Sequence, residues 1–391
     1  MTQAYTREEL IRRVAAGGAF LTIPGLLAAC GGGSGIKGAA ATTAATTAAS
    51  KTLKGTLTIS NWPLYIDIDE KTKKRPTIQQ FQKKYGVSVR YIEDVNDNDQ
   101  FFGKVQAQLR RGQGIDRDIM VLTDWMAARM VRLGWVQKLD KSAIPNFSKL
   151  EPALAHPGWD PERDHSLPWQ SGLTGIAYNE QLVGHPVTSV DQLLTDPKLH
   201  GKVTLLTEMP DTMGIVMLSN GDDPSKVTKA AFDKAIAKIK KAVDSGQVRQ
   251  FTGNDYGGMM AKGDVWAAFA WSGDIVQLQA DNDHLKFNLP DTGGMIWTDN
   301  MLIPTGGDVY TASTFMNFVY EPKIAAQIED YVNYICPVVG AKEELLKIDP
   351  GVAKNPLIFP PKSELASVHI FDAKAADQDD YKAKFQKLLG A

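Results

Sequence analysis

The first part of the chain alternates between strand-like and helix-like spacing of its hydrophobic positions. In "KGTLTISN", Leu57 and Ile59 are two positions apart, which predicts a strand. The predicted elements are strands over residues 54 to 61, 87 to 91 and 118 to 122, and helices over residues 76 to 85 and 125 to 133. This β-α-β-α-β order indicates an α/β unit with a mostly parallel sheet.

The same alternation continues in the second part of the chain. Phe232, Ile236, Ile239 and Val243 recur at helical spacing with lysines on the opposite face, which predicts an amphipathic helix. The predicted strands cover residues 174 to 179, 202 to 207, 265 to 271 and 295 to 304, and the helices cover residues 228 to 243, 323 to 335 and 378 to 388. The 391 residues, 43% of them hydrophobic, are enough for two α/β lobes.

The N-terminal segment has the pattern of a secretory signal. A basic start that includes Arg12 and Arg13 precedes an apolar run over residues 14 to 27. The sequence "LAAC" ending at Cys30 resembles a bacterial lipobox, in which the cysteine is acylated; a signal peptide that happens to contain a cysteine is the alternative. The arginine pair leaves twin-arginine export open. We therefore expect a signal peptide over residues 1 to 29 and an extracytoplasmic protein that is lipid-anchored to the cell membrane through its cysteine.

The segment after this cysteine is predicted to be a flexible linker over residues 30 to 53. Its small side chains cannot bury a core. It contains a GxGxxG pattern at Gly33, Gly35 and Gly38, but no strand precedes it and no helix follows, so we do not predict a nucleotide site. The second cysteine, Cys336, has no partner for a disulfide in a lipidated chain and is expected to be a small buried side chain.

Charge and motifs exclude several classes of function. The formal net charge of −2 does not favour nucleic acid as a partner, and no apolar stretch is long enough to span a membrane. The stretch "DVNDND" begins like a calcium loop, but Asp99 stands where that loop needs glycine and Val105 where it needs glutamate. The histidines do not pair at metal-ligand spacing, and the sequence contains no P-loop, GxSxG or HExxH motif. We therefore expect no metal, no cofactor and no catalysis.

Aromatic and acidic residues collect where the predicted strands end, which is where open α/β sheets bind ligands. Together with the hydroxyl residue Thr123, these residues are Trp62, Tyr65, Asp124, Trp125, Glu208, Asp211, Trp271, Asp274, Trp297 and Asp299. Any one tryptophan is more often a core residue, but four of the eight fall in this set. Aromatic faces attract alkylammonium groups by about 0.5 to 2 kcal/mol, and carboxylates add charge-assisted hydrogen bonds. The pattern predicts an aromatic box with acids at its ends for a flexible aliphatic cation.

Four motifs carry a resemblance to a known family. In order, they are "ISNWPLY", "DIMVLTDWMAARMVRLGWVQKLDKSAIPNFSKL", "WSGD" and "GGMIWTDNMLIP". The chain resembles the extracytoplasmic solute-binding components of spermidine/putrescine ABC transporters over nearly all of residues 54 to 391. The resemblance implies an α/β, type II-like periplasmic-binding-protein clamp, in which each lobe is a mostly parallel sheet flanked by helices and the ligand cleft lies between the lobes. It also implies a monomer that captures a polyamine, delivers it to the permease and performs no chemistry.

The resemblance also implies lobe boundaries and ligand contacts. The first lobe would combine residues 54 to 169 with about 297 to 335, and the second would combine residues 170 to 296 with about 336 to 391. The ligand contacts would be Trp62, Tyr65, Thr123, Trp125, Trp271, Trp297 and Asp299. The family's acids in the segment after the "LLT" strand are replaced by Met209 and Thr212, and the acids present are Glu208 and Asp211. Cys336 and Phe371 stand where the family has tyrosine and glutamine, so the end of the site far from Trp297 stays open, with Asp124 and Asp274 as further candidates.

Three alternatives remain open at this point. The shifted acids allow a clamp that binds another solute, such as an amino-acid derivative, a different amine or a sugar. An enzyme built on the same scaffold is supported only by the presence of a cleft. A purely sensory protein that presents its ligand to a receptor fits the same sequence.

Overall fold

The computed structural model describes residues 51 to 390, so the predicted signal peptide, Cys30 and most of the predicted linker lie outside the described residues. The strands are β1 (Thr56–Asn61), β2 (Ser88–Glu93), β3 (Ile119–Thr123), β4 (Ser166–Asn179), β5 (Val203–Leu206), β6 (Val248–Thr252), β7 (Ala267–Trp271), β8 (Leu285–Asn288), β9 (Gly294–Leu302) and β10 (Val368–His369).

The helices are α1 (Pro76–Tyr85), α2 (Asn98–Leu109), α3 (Asp124–Arg132), α4 (Glu180–Val183), α5 (Val190–Thr195), α6 (Met209–Ser219), α7 (Lys229–Asp244), α8 (Tyr256–Ala261), α9 (Ser272–Gln279), α10 (Val309–Val319), α11 (Pro322–Val332), α12 (Ala341–Ile348), α13 (Pro350–Ala353), α14 (Lys362–Leu365), α15 (Ala373–Ala376) and α16 (Asp379–Leu389). Short 3₁₀ turns cover Lys141–Ala143, Pro145–Lys149, Pro152–Leu154 and Pro197–Leu199.

Capping residues fix the ends of the predicted helices. Helix α1 begins with Pro76, which needs no partner for a backbone N–H, and ends at Gly86 with a φ of 68°. Helix α7 begins after Thr228, whose hydroxyl accepts a hydrogen bond from the amide of Ala231 at 3.2 Å. The predicted strands and helices are all present, although β4 starts at Ser166, well before its predicted start.

A single sheet runs through the molecule in the order β2-β1-β3-β9-β4-β7-β5-β6, with β10 paired to β9 and β8 paired to β4. The pairs β1–β2, β1–β3, β5–β6 and β5–β7 are parallel, whereas β9 is antiparallel to both β3 and β4. The long central strands therefore join two units that each contain parallel strands and covering helices.

This arrangement is the two-lobed α/β architecture expected from the sequence. Strands β1 to β3 with helices α1 to α3 form one side, and β5 to β7 with α6 to α9 form the other. The residue boundaries of the lobes stay a prediction, because β4 and β9 pair with strands of both sides. Within residues 51 to 390, no helix is both long and apolar enough to cross a membrane.

Candidate ligand-binding site

A cavity with about 380 Å³ of empty space lies between the two lobes, next to the ends of several strands. Strand β1 leads into Trp62, β3 ends at Thr123, β7 ends at Trp271, and β9 contributes Trp297 and Asp299. The complete lining consists of Trp62, Pro63, Tyr65, Thr123, Glu208, Asp211, Asn254, Trp271, Asp274, Trp297, Asp299 and Tyr334. The fold thus brings together nine of the eleven candidates for ligand contact.

Five aromatic side chains form the walls of this cavity, and we call Trp62, Tyr65, Trp271, Trp297 and Tyr334 the aromatic box. Their rings meet mostly edge to face: the centroids of Trp62 and Trp271 lie 6.0 Å apart, and those of Trp271 and Trp297 lie 6.3 Å apart. Tyr334 closes the ring, with centroids 5.2 Å from Tyr65 and 5.6 Å from Trp297. Edge-to-face packing leaves ring faces available to a cation.

Two glycines let these rings approach the backbone. A Cβ placed on Gly172 in β4 would lie 2.3 Å from the Trp297 ring, and one on Gly273 in α9 would lie 2.4 Å from the Tyr334 ring. Real Cβ atoms do not come this close to ring carbons, so any larger residue would displace the aromatic side chain. Gly273, the glycine of "WSGD", therefore allows the Tyr334 ring to pack in the box.

Asp299 is buried at one end of the box and binds two hydroxyl groups. The Tyr65 hydroxyl donates to Oδ2 at 2.9 Å, and the Thr123 hydroxyl donates to Oδ1 at 2.7 Å. Burial raises the pKa of Asp299 to about 7, against the opposing effect of these hydrogen bonds. The neighbouring carboxylates of Asp124 and Asp211 raise this pKa further.

Asp211 and Asp274 add two more carboxyl groups to the lining. Asp211 accepts hydrogen bonds from the Thr174 hydroxyl at 2.6 Å and from Trp271 Nε1 at 3.2 Å, and burial raises its pKa to about 6. Asp274 accepts from the hydroxyls of Tyr256 and Tyr334, each at 2.6 Å. Burial also raises the pKa of Asp274, although this side chain is the most exposed of the lining carboxyls.

Glu208 is linked to Asp299 by a chain of hydrogen bonds. Asn98, the first residue of α2, donates its backbone N–H and its Nδ2 to Glu208 Oε1 at 2.8 and 3.0 Å. The same Nδ2 donates to Thr123 Oγ1 at 2.8 Å, and Thr123 donates to Asp299. Burial, followed by the charge of Asp97, holds the pKa of Glu208 well above its usual range. The stretch "DVNDND" therefore helps to build the site, as a helix start and not as a calcium loop.

The described lining of the cavity contains four carboxyl groups and no cationic side chain. Its four carboxyl groups accept hydrogen bonds from hydroxyl, amide and indole groups, and no lysine or arginine is among the described residues that line the cavity. Burying charged carboxylates without a counter-ion costs several kcal/mol each, which is why their pKa values rise. A ligand carrying ammonium groups would supply the missing charge.

Asp124 and Trp125 lie outside the box. They line an adjoining space on the other side of Trp297. Asp124 accepts hydrogen bonds from the backbone N–H of Thr298 at 3.2 Å and from Asn300 Nδ2 at 2.8 Å, so it also supports β9.

Two lining residues, Tyr334 and Asn254, were not predicted from the sequence. Tyr334 follows α11, whose end at Asn333 adopts a left-handed φ of 57°, and it faces the cavity. Cys336, which stands where the resemblance implies a tyrosine, is buried outside the box. Asn254 lies in the segment after β6 and donates to Asp274 at 3.1 Å. Both come from connecting segments, where hydrophobic periodicity gives no guide to orientation.

Comparison with known proteins agrees with this architecture. The chain is 23% identical over 334 residues to the spermidine/putrescine-binding periplasmic protein of Escherichia coli strain K12, which covers 85% of this chain and 91% of that protein. It is 28% identical over 362 residues to the putrescine-binding periplasmic protein SpuD of Pseudomonas aeruginosa, with 85% and 89% covered.

A solved structure shares the fold. The spermidine/putrescine ABC transporter substrate-binding protein PotD from Streptococcus pneumoniae aligns with a TM-score of 0.68 at 24% identity, covering 86% of this chain and 97% of that chain. The model of the family described as "Bacterial extracellular solute-binding protein" matches residues 77 to 360. Since this match spans most of the chain, the protein belongs to the bacterial extracellular solute-binding protein family.

Proposed function

We propose that this protein captures a polyamine of the putrescine/spermidine class outside the cytoplasm and delivers it to the permease of an ABC transporter. The observation that supports this most directly is the combination of four carboxyl groups with five aromatic rings around one cavity that has no lysine or arginine in its described lining. Aromatic faces and carboxylates both favour alkylammonium groups.

The same observation disfavours the alternative solutes. An amino acid or a derivative with a carboxylate would bring a further negative charge into a site whose described lining has no cationic side chain to pair with it. A sugar could stack on the rings, but it would leave the buried carboxyl groups without a counter-charge. A linear amine satisfies both the rings and the acids.

Delivery to a permease and the absence of chemistry are parts of the same proposal. The relatives named above are binding proteins by their descriptions. Recovery of the bound amine unaltered after prolonged incubation would agree with a binding protein, whereas recovery of a converted product would contradict it.

Lipid anchoring through Cys30 also remains a proposal, supported by the lipobox-like sequence before it. Mass spectrometry of protein extracted from membranes tests it. An acylated cysteine at the mature N-terminus is expected, and an unmodified one would refute the anchor. The monomeric state is proposed alongside, and light scattering of the purified protein measures it.

The replacement Asp299→Asn tests the function directly. Removing one partner of a buried, hydrogen-bonded charge pair typically costs about 2 to 4 kcal/mol, or roughly 30- to 800-fold in Kd. Isothermal titration calorimetry with putrescine, spermidine and spermine should show such a loss, larger than that for any other single carboxyl-to-amide change. The exposed Asp244→Asn is the matched control, because Asp244 pairs only with Lys240 on α7.

Two results would count against the proposal. If none of the three amines binds or stabilises the wild-type protein, the solute belongs to another class. If the amines bind and Asp299→Asn binds them equally well, the assignment of this end of the site is wrong.

A further inference from the structure

A second cavity adjoins the aromatic box on the far side of Trp297, with about 770 Å³ of empty space, and we call it the outer chamber. Its described lining includes Thr123, Asp124, Trp125, Trp159, Asp211 and Trp297. It resembles the box in character, because aromatic and apolar side chains surround two carboxyl groups and no lysine or arginine lines it.

The outer chamber and the box share three lining residues: Thr123, Asp211 and Trp297. The Trp297 indole packs against Trp271 and Tyr334 of the box and also lines the chamber. The carboxyl group of Asp211 likewise belongs to both linings, so an ammonium group beside it would stand where the two spaces meet. The two spaces are therefore neighbours that share one carboxyl group.

Asp124 is the carboxyl group that belongs to the outer chamber alone. It accepts hydrogen bonds only from neutral donors, the backbone N–H of Thr298 and the side chain of Asn300. The charge of Arg163 acts on Asp124, but its guanidinium makes its hydrogen bonds elsewhere, with Nη1 donating to Ser166 and Asn300. Burial raises the pKa of Asp124 to about 6, against the opposing effects of the Asn300 hydrogen bond, the charge of Arg163 and the Thr298 hydrogen bond.

Aromatic side chains flank this acid on the chamber side. Trp125 is buried, and Trp159 is partly exposed and lines the chamber from a separate loop. The guanidinium of Arg163 lies 5.5 Å from the centre of the Trp159 ring, so this ring already attracts one cation. The chamber thus offers an acid beside indole rings, as the box does.

We propose that the outer chamber takes the aminoalkyl arm of a polyamine longer than a diamine, with the distal ammonium group at Asp124 and the methylene groups against Trp159 and Trp297. This inference rests on the proposed function and adds a chain-length preference to it. A diamine would fill the box alone, whereas a triamine or tetraamine would pass Asp211 and reach the outer chamber.

Titration calorimetry with putrescine, spermidine and spermine tests this proposal in three proteins: wild type, Asp124→Asn and Trp159→Ala. We expect both variants to lose roughly tenfold or more in affinity for the longer amines and about twofold or less for putrescine. Asp191→Asn is the control for a carboxyl change, because Asp191 is largely exposed and pairs with Lys238 on the surface.

Proton release separates a ligand contact from a structural role. At about pH 6, the longer amines should release more protons than putrescine from the wild-type protein, and Asp124→Asn should abolish this excess. Equal affinity losses for all three amines would overturn the proposal, because they would show that Asp124 acts by holding β9. Trp159→Ala provides the second criterion, since Trp159 itself makes no hydrogen bond to β9 among the described residues, and its only link to that strand runs through Arg163.

The outcomes distinguish this inference from the proposed function. Failure of every amine to bind the wild-type protein overturns both. If putrescine binds but the variants do not discriminate by chain length, only the outer chamber is ruled out. If putrescine binds too weakly to titrate, proton release by spermidine in wild type and in Asp124→Asn decides the question.

Discussion

Asp299 is costly to bury, and this cost makes ligand binding sensitive to pH. Its pKa of about 7 means that the carboxyl group is largely protonated at about pH 5.5, whereas a bound ammonium group favours the ionised form. Binding of putrescine must therefore release protons. Affinity should rise between about pH 5.5 and 7.5, by up to tenfold per pH unit for each such carboxyl group.

Calorimetry at three pH values, in two buffers of different ionisation enthalpy, measures this release. Asp299→Asn should flatten the pH dependence, and the part that remains should come from the other lining acids with raised pKa values: Asp211, whose pKa is about 6, together with Glu208 and Asp274. An affinity that does not change with pH, together with no proton release, would show that the lining acids are already ionised in the free protein.

The same carboxyl group affects the stability of the free protein in the opposite direction. At pH values between the ordinary pKa of an aspartate and about 7, the folded protein holds a proton on Asp299 that the unfolded chain has lost. Its contribution to stability is therefore fully present below about pH 4 and is lost as pH rises through 7. A polyamine reverses this trend because it stabilises the ionised form of the folded protein.

The sequence predicted most of the residues around the cavity. Trp62 and Trp271 could be found because each stands at the end of a buried strand, a position that fold geometry assigns to ligands. Trp297 lies within β9, and it was found through its motif and its place on the same strand face as Asp299. Tyr334 and Asn254 could not be found in this way. Their orientation depends on a left-handed residue and on a connecting segment, which only the packed structure defines.

Helix α6 shows where pattern analysis of elements fails. Met209 to Leu218 are all buried, so the helix has no polar face and no amphipathic period. Periodicity detects α7 because one of its faces is exposed, whereas a helix enclosed on all sides resembles any apolar run. Since Asp211 lies in the first turn of α6, its position relative to the box could not be derived from the sequence.

The replacement Gly273→Ala should damage the site while leaving the helix intact. Alanine is favoured over glycine inside a helix by about 1 kcal/mol, but its Cβ would meet the Tyr334 ring at 2.4 Å. The ring must move, and its movement disturbs the hydrogen bond from the Tyr334 hydroxyl to Asp274. We expect a loss of roughly tenfold or more in polyamine affinity, measured by calorimetry.

Gly103→Ala is the matched control for this change. Gly103 is also within a helix, α2, and a Cβ there would meet nothing within 4 Å. This variant should unfold at an equal or higher temperature than wild type and bind normally. Normal binding by Gly273→Ala would show that the wall formed by Tyr334 adapts without loss.

At the scale of the molecule, the C-terminal segment links the two sides of the cleft. Tyr381 stacks on Phe232 of α7 with centroids 4.2 Å apart, which attaches this segment to the second side. Asp377, just before α16, pairs with Arg129 of α3 at 3.2 Å and also with Arg132. These ion pairs therefore join α3 of the first side to the second side.

The resemblance predicted a clamp but not these contacts, because ion pairs between distant segments produce no periodic pattern in the sequence. In a clamp that moves about a hinge, contacts across the cleft stabilise the closed form and slow the release of ligand. Partly exposed ion pairs contribute about 1 kcal/mol or less each. Their effect on binding should therefore be modest and should depend on salt.

Asp377→Asn is expected to raise the dissociation rate of a bound polyamine about two- to fivefold and to change the association rate little. Stopped-flow measurements of tryptophan fluorescence can follow both rates, since three indoles line the box. The difference from wild type should shrink as salt rises from about 0.05 M to 0.5 M, because screening weakens the wild-type ion pairs. Asp379→Asn is the control, with a side chain that is 98% exposed. An unchanged dissociation rate at low salt would show that closure depends on the ligand and the hydrogen bonds of Asn98, and not on the C-terminal segment.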